Sequence, residues 1–351
     1  MDDRRALLLE RARKEAEEDK RLAEEYDMGP FEGDVYLTPA QGEAVDYSIV
    51  ALESVEEGGI LLEDVMKDVS RAAMKNVSLH WPGGVVPYDL DLRYAWYKDY
   101  PEFQAAWSEA IQQIQQNSCV TLRPRQASDE HWVTVRHGDG CGSFIGRVAY
   151  PDYCDALPWL YGDCTKPLGQ FMTLEVVTCW KTGLIVHEFM HALGFLHEQA
   201  RADRDDYVEI IEENIMPGME YNFEKYAVEL LTTAGTAYDY QSLMHYTANA
   251  FSKDKATLMT IRPKQPGVTL PTEHTRLTAT DISELKALYK CSSGGACVMN
   301  VGECTALIAC DKTNAYDDAS CKYWEDNFKY CTDSAYAAWM EQNCAKTCLC
   351  K

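Results

Sequence analysis

The stretch HEFMHALGFLHEQARADRD, residues 187–205, decides how this chain folds. His187 and His191 are four residues apart, so on a helix their imidazoles project from one face about one turn apart. Two nitrogens at that separation can bind one zinc ion. Gly194 allows the backbone to leave the helix and bring His197 back as a third ligand. Three histidines leave a fourth position for water, which is the arrangement of a catalytic zinc site.

Two neighbouring features strengthen this interpretation. Glu188 follows the first histidine, where its carboxylate can accept a proton from water activated by the metal. About 50 residues further on, the sequence SLMHY, residues 242–246, matches the Met-turn that accompanies HExxHxxGxxH in the metzincins. A bare HExxH occurs by chance in amphipathic helices, and that is the alternative interpretation. The longer pattern is far more demanding and predicts a zinc site.

The extension HExxHxxGFxHExxRxDRD, followed by SLMHY, resembles the astacin family of zinc endopeptidases rather than matrix metalloproteinases or adamalysins. The likeness runs from a propeptide motif near residue 31 to a cysteine near residue 291. It implies an α+β metzincin protease of two lobes, in which a mixed twisted sheet and helices hold zinc in the cleft between the lobes. It also implies one catalytic Zn²⁺ ion, protein or peptide substrates, and Glu188 as the general base.

The resemblance assigns roles to three more residues. Tyr246 is expected to bind zinc at rest and to swing towards the developing oxyanion as a catalytic residue. Met244 is expected to form an apolar base beneath the metal, which nearly coincides with the alternative of an ordinary core methionine. Glu198 is expected to pair with the amino terminus freed by activation, because a buried ammonium group needs an opposite charge. The alternative for Glu198 is a surface acid.

An acidic segment precedes the expected protease domain. Residues 1–71 hold 9 basic and 20 acidic residues, so this segment carries about half of the formal net charge of −23. We expect it to be a mainly helical or irregular propeptide. FEGD, residues 31–34, is similar to the FxGD motif of astacin propeptides, in which the aspartate takes the position on zinc that water needs. Asp34 is therefore expected to be a zymogen latch, since a carboxylate is a good zinc ligand. The alternative is an ordinary acidic turn.

The expected activation site lies between Arg71 and Ala72. The sequence WPGGVVPY, residues 81–88, resembles the start of the mature family domain, and an arginine indicates cleavage by a trypsin-like protease. The protease domain is then expected to cover residues 72–291. The glycosylation sequon at Asn76 falls in a segment that is expected to be buried, so we expect it to be unused.

Hydrophobic patterns predict further elements of this domain. Phe103 to Gln116 carries apolar residues at helical spacing, which predicts a core helix. His131 to Val135 alternates like a strand. Gly169 to Leu174 resembles the family's edge strand above the cleft, with which an extended peptide can pair. Arg147 to Pro167 is longer than the usual family connection and is either a rim of the cleft or a surface elaboration.

The chain has 14 cysteines, which indicates an oxidising compartment and disulfide bonds, although spacing alone does not give their connectivity. The resemblance implies the pairs Cys119–Cys291 and Cys141–Cys179. We expect Cys154–Cys164 to close the inserted segment and Cys297 to pair locally with Cys304 within a linker, residues 292–309.

The last segment, residues 310–351, holds six cysteines and is too short for a core without disulfides. Its spacing is similar to ShK toxin-like domains, which implies a small disulfide-rich helical domain with the pairs Cys310–Cys350, Cys321–Cys344 and Cys331–Cys348. The final gap is one residue shorter than that family usually has. Thr332 to Asn343 contains no lysine or arginine, so a channel blocker is not expected. A module that binds substrate or another protein, or a passive cap, is expected instead.

Charge and hydropathy bear on function and location. A net charge of −23 argues against nucleic acid as a partner, because nucleic-acid binding requires basic surface. No apolar run approaches the length of a membrane span. We expect a secreted protein whose signal peptide has been lost from this chain, because the start lacks a signal core. A non-enzymatic binding protein is the alternative to a latent endopeptidase, and the intact Glu188 and three histidines favour the enzyme.

Overall fold

A computed structural model of the chain describes residues 33–36, 41, 79–91, 100–138, 140–148, 169–225 and 236–291. Several predictions therefore lie outside the described residues: most of the propeptide, the activation site at Arg71 and Ala72, the sequon at Asn76, the pair Cys154–Cys164, the linker and the ShK-like domain with its pairs. Within the described part, no helix is long and apolar enough to cross a membrane.

The largest element is a six-stranded mixed sheet. Its strands are β1 (Val35–Tyr36), β2 (Val85–Leu90), β3 (Thr121–Pro124), β4 (Val133–Arg136), β5 (Cys141–Phe144) and β6 (Gln170–Leu174). They lie side by side in the order β1-β5-β6-β4-β2-β3. All neighbours are parallel except β5 and β6, which pair antiparallel. The mixed sheet with helices confirms the predicted α+β class, and β4 confirms the predicted strand with a start two residues later.

The prediction of an edge strand at 169–174 was wrong. Strand β6 lies between β5 and β4, and all five of its residues are buried. The position of a strand in a sheet depends on its partners, and the partner β5 has the sequence CGSF, which carries little strand signal. The outer side of β5 is in turn paired with β1, through Val35 opposite Ser143. A segment of the predicted propeptide therefore forms the edge of the sheet.

The described residues also contain three α-helices: α1 (Pro101–Asn117), α2 (Thr182–Ala192) and α3 (Ala279–Leu288). Helix α1 confirms the helix predicted from Phe103, and the proline at its first position needs no hydrogen-bond donor there. Trp107 of α1 lies between Tyr88 of β2 and Phe189 of α2, with ring centroids 5.1 and 5.3 Å away. Aromatic packing therefore fixes α2 against the sheet.

The chain after α2 forms a second, smaller apolar cluster. Strands β7 (Val208–Ile210) and β8 (Ile261–Pro263) pair antiparallel beside it. Its buried members are Val208, Ile215, Phe223, Tyr238, Tyr246, Ile261 and Leu270. Two disulfides join distant segments of the described chain: Cys119–Cys291 links the segment after α3 to the segment before β3, and Cys141–Cys179 links β5 to the turn before α2. These are the two pairs implied by the family resemblance.

Candidate metal centre

Helix α2 and the turn after it bring three histidines together. His187 and His191 lie on one face of the helix, and both are buried. Gly194 follows the helix with φ of +108°, a conformation that favours glycine, and redirects the chain. His197 then lies in extended backbone with its side chain fully buried. The local sequence thus produces the bend that the spacing predicted.

The imidazole nitrogens surround a single point, together with one carboxylate. Nε2 of His187 lies 3.1 Å from Nε2 of His191 and 3.2 Å from Nε2 of His197. The Asp34 carboxylate lies 3.2, 3.7 and 3.3 Å from the Nε2 atoms of His187, His191 and His197, in that order. Ligands at about 2.05 Å from a tetrahedral ion lie about 3.3 Å from one another, so these separations fit one zinc ion.

Hydrogen bonds on the far side of the rings assign the tautomers. Nδ1 of His187 lies 2.9 Å from the carbonyl oxygen of Leu243, and Nδ1 of His191 lies 2.7 Å from that of Phe195. A carbonyl can only accept, so each Nδ1 carries the proton and each Nε2 presents a lone pair to the centre. Burial lowers the pKa of His191 well below its ordinary value, which keeps that ring neutral. Lone pairs and a carboxylate facing one another require a cation, and the donor set suits zinc.

Asp34 reaches this centre from the strand that forms the sheet edge. Its backbone oxygen accepts a hydrogen bond from Ser143 N–H at 2.8 Å, directly before the β1–β5 pairing begins. Gly33 precedes it with φ of +83°, a conformation that favours glycine. The structure therefore places the predicted latch residue against all three histidines.

Glu188 is buried beside the centre with a relative exposure of 1%. Its Oε2 has no hydrogen-bond partner within the described part of the chain. Burial and the nearby charge of Asp34 raise the pKa of Glu188 well above its ordinary value. A buried carboxyl group with a raised pKa and a free oxygen is suited to accept and hold a proton.

Tyr246 and Met244 both lie close to the histidines in the fold. The Tyr246 ring centroid is 4.6 Å from that of His197, and its backbone N–H donates to Oε1 of Gln199 at 3.0 Å. Met244 is 3% exposed and belongs to the same core cluster as Ile185, Val186 and Phe189 of α2. The Met-turn and α2 are therefore packed into one unit.

Asp281, at the start of α3, holds the Met-turn in place and was not found from the sequence. Its carboxylate accepts hydrogen bonds from Ser242 Oγ at 2.6 Å and from Leu243 N–H at 3.0 Å. The carbonyl of Leu243 is the one that orients His187. Thr278 and Asp281 also form a capping box at the helix start, and the pattern TxxD is the sequence signal that points to this position.

Comparison with known proteins decides the family. The profile of "Astacin (Peptidase family M12A)" matches residues 73–156 and 162–290, which is more than half of the chain. This chain belongs to the astacin family of zinc metallopeptidases. The unmatched residues 157–161 fall inside the segment Arg147 to Pro167, which the sequence predicted to be longer than the family connection.

Similar proteins come from several animals. Zinc metalloproteinase nas-13 of Caenorhabditis elegans is 33% identical over 223 residues, covering 64% of this chain and 44% of that protein. Bone morphogenetic protein 1 of Xenopus laevis is 35% identical over 228 residues, covering 64% and 29%. The chain therefore spans less than half the length of these two relatives. Among solved structures, high choriolytic enzyme 1, a hatching enzyme zinc-protease from Oryzias latipes, has 30% identity and a TM-score of 0.50, covering 62% of this chain and 96% of that one.

In this astacin-family chain, the residue after the third histidine lies in a buried acidic cluster. Oε1 of Glu198 accepts from Arg201 at 3.1 Å and from Asp239 N–H at 2.8 Å. Burial raises the pKa of Glu198 to about 7, although the charge of Arg201 opposes this. Glu284 of α3 belongs to the same cluster, and burial raises its pKa to about 8. The cluster holds more carboxylates than cations, so a further cation would stabilise it.

Replacing Asp281 with alanine should loosen the metal centre. The buried Leu243 N–H and Ser242 hydroxyl would lose their acceptor, and we expect the free energy of unfolding to fall by about 3 kcal/mol. A chelator should also remove zinc faster than from the wild type, because His187 loses its fixed acceptor. Thr278→Ala is the control, since it removes the helix cap at a cost of about 1 kcal/mol and leaves the Met-turn contacts. Equal rates of zinc loss from the two variants would contradict the link.

Replacing Glu284 with glutamine should change the pH dependence of stability. The ordinary pKa is 4.5 and the folded value is about 8, so between these pH values the folded protein keeps a proton that the unfolded chain has lost. The contribution of Glu284 to stability therefore falls as the pH rises through this range. The unfolding free energy of Glu284→Gln relative to the wild type should increase by at least about 1 kcal/mol from pH 5 to pH 8. The exposed Glu213→Gln is the control, and a pH-independent difference for Glu284→Gln would refute the assignment.

Proposed function

We propose that this chain is a zinc-dependent endopeptidase in a latent form, which hydrolyses peptide bonds of protein substrates after removal of its propeptide. The observation that supports this most strongly is the convergence of three imidazole Nε2 atoms and one carboxylate, with Glu188 buried beside them. Nε2 of His187 lies 3.1 and 3.2 Å from those of His191 and His197, and the Asp34 carboxylate lies 3.2 to 3.7 Å from all three. His187, His191 and His197 would hold the ion. The Asp34 carboxylate would take the remaining face.

Glu188 is the proposed general base. When bound, zinc acidifies water and polarises a carbonyl oxygen. Glu188 receives the proton of the attacking water at its free oxygen and later passes it to the nitrogen of the leaving amine. Its burial keeps competing water away and makes the carboxylate a stronger base than an exposed one. Tyr246 lies beside His197. We propose that its hydroxyl would bind zinc in the resting enzyme and would donate a hydrogen bond to the developing oxyanion during the reaction.

Latency is proposed to end by cleavage between Arg71 and Ala72 by a trypsin-like protease. Residues 1–71 would be the propeptide and 72–291 the protease domain. The new amino terminus would pair with Glu198, which the buried acidic cluster supports because that cluster holds more carboxylates than cations even with Arg201 bound to Glu198. Met244 would serve as the apolar base of the site.

The remaining segments have proposed roles that follow from their sequence. Residues 292–309 would be a linker and 310–351 an ShK-like module that binds substrate or another protein. The seven disulfides would include Cys154–Cys164, Cys297–Cys304 and the three pairs of that module. Secretion is proposed because disulfides form in oxidising compartments, and two are present among the described residues.

The variant Glu188→Ala tests the proposed chemistry. It should bind one zinc ion per chain and unfold at a temperature close to that of the wild type, because the three histidines are unchanged. After trypsin treatment its peptidase activity should fall by about 100-fold or more, since the proton acceptor is missing. Activity is measured as kcat/KM on a fluorogenic peptide, with Glu213→Ala as an exposed control. Undiminished cleavage by Glu188→Ala, with zinc bound, would end the proposed mechanism.

The variant Asp34→Ala tests the latch separately. Without the carboxylate, one face of the metal is accessible in the uncleaved chain, and peptidase activity before trypsin treatment should rise by about tenfold to 100-fold. Asp34→Asn keeps the shape and loses the charge, so it should give an intermediate increase. Mass spectrometry must show that the chain is intact during the assay. Unchanged latency of Asp34→Ala would mean that another group blocks the site.

A further inference from the structure

Gly33, the residue before the predicted latch, is packed against a single aromatic ring. A Cβ atom built on Gly33 would lie 2.6 Å from Cζ of Phe251, and the three atoms nearest to that position all belong to Phe251. Real Cβ atoms do not approach other atoms so closely. The ring therefore leaves room for glycine, and for any larger residue the ring or the propeptide backbone has to move.

The position of the Phe251 ring is held from several sides. Its backbone carbonyl accepts from Met216 N–H at 2.9 Å, next to an isolated bridge between Ile215 and Ser252. Its φ is +51°, which is unusual for a bulky residue and persists only where the surroundings enforce it. The ring also packs against Tyr246 and Phe223, with centroids 5.6 and 6.1 Å away. Moving the ring would disturb this packing.

This ring contacts two residues that adjoin the candidate metal centre, Tyr246 and Gly33. Tyr246, which contacts Phe251, also packs against the third histidine at 4.6 Å. Asp34 faces the histidines, and Gly33 is its neighbour in the chain. Phe251 therefore limits the space at Gly33, and Gly33 is the neighbour of Asp34, which faces the histidines.

We propose that Phe251 is a specificity-determining residue that keeps one subsite of the cleft small. The inference rests on the proposed endopeptidase function, in which substrate enters the space that the propeptide leaves. In the latent chain the ring accommodates Gly33. After activation the same ring restricts one of the two substrate positions that flank the scissile bond to glycine or alanine. A larger side chain at that position would clash with the ring, and moving the ring would disturb its packing against Tyr246 and Phe223.

A simpler explanation of Gly33 is its positive φ alone. That explanation concerns the propeptide backbone and predicts no dependence on the side chain at position 251. The proposed contact predicts instead that a substitution at Gly33 is relieved by a smaller residue at Phe251. The two explanations are therefore separated by a double-mutant comparison.

The first experiment measures cleavage specificity after trypsin activation. Wild type, Phe251→Leu and the control Phe223→Leu, which alters the same aromatic cluster, are incubated with a peptide library varied on both sides of the scissile bond. The wild type should require a small residue at one flanking position. Phe251→Leu should raise relative kcat/KM for valine or leucine there by about tenfold or more, and Phe223→Leu should not. Wild-type cleavage between large residues, or an unchanged profile in Phe251→Leu, would overturn the proposal.

The second experiment uses the uncleaved chain and needs no peptidase activity. The rate at which excess chelator removes zinc is measured for Gly33→Ala, for Gly33→Ala with Phe251→Leu, and for Gly33→Ala with Phe223→Leu. Gly33→Ala should lose zinc faster than wild type, because the Asp34 carboxylate is displaced. Phe251→Leu should restore slow loss in that background, and Phe223→Leu should not. An absence of rescue by Phe251→Leu would refute the contact even if the chain proves to be an active peptidase.

Discussion

The structure depends on a group of lone pairs that converge on one point. The Nδ1–H groups of His187 and His191 donate hydrogen bonds to backbone carbonyls. Their Nε2 atoms therefore face one another as acceptors, 3.1 Å apart. Such a group is repulsive in a buried site unless a cation neutralises it. A bound zinc ion would therefore stabilise the folded chain, because α2 and the turn at Gly194 hold the histidines in this arrangement.

The orientation of these ligands is fixed by segments distant in sequence. The carbonyl oxygen of Leu243 accepts a hydrogen bond from Nδ1–H of His187, and the N–H of Leu243 donates to Asp281, 38 residues further on. A second set of contacts joins the same segments. Glu198 follows the third histidine and Glu284 belongs to α3, and the two lie in one buried cluster. A change in charge within this cluster would act on α3 and, through Asp281, on the Met-turn. The proposed pairing of Glu198 with a new amino terminus would therefore act on the same set of contacts that orients the histidines.

Local patterns in the sequence predicted the parts of the site that depend on spacing. The four-residue interval on α2, the glycine turn and the core helix at Phe103 follow from the helical period and from backbone freedom, so they needed no tertiary information. The position of β6 inside the sheet was missed because strand order is set by partners, and its partner β5 is short and rich in small residues. Asp281 and Phe251 were missed because their roles arise only from contacts across the fold.

The contacts of the proposed latch would act together because they belong to one chain. Among the described residues of this segment, β1 pairs with β5 over two residues, Gly33 lies against the Phe251 ring, and Asp34 offers one carboxylate. A free peptide with these contacts would bind weakly, since association costs several kcal/mol. Covalent attachment would give the Asp34 carboxylate a high effective concentration at a bound zinc ion. Under the proposed activation, cleavage between Arg71 and Ala72 would change no contact at the centre, yet it would turn an intramolecular ligand into one that can dissociate. A tighter propeptide would keep the chain latent, but its release would be slow.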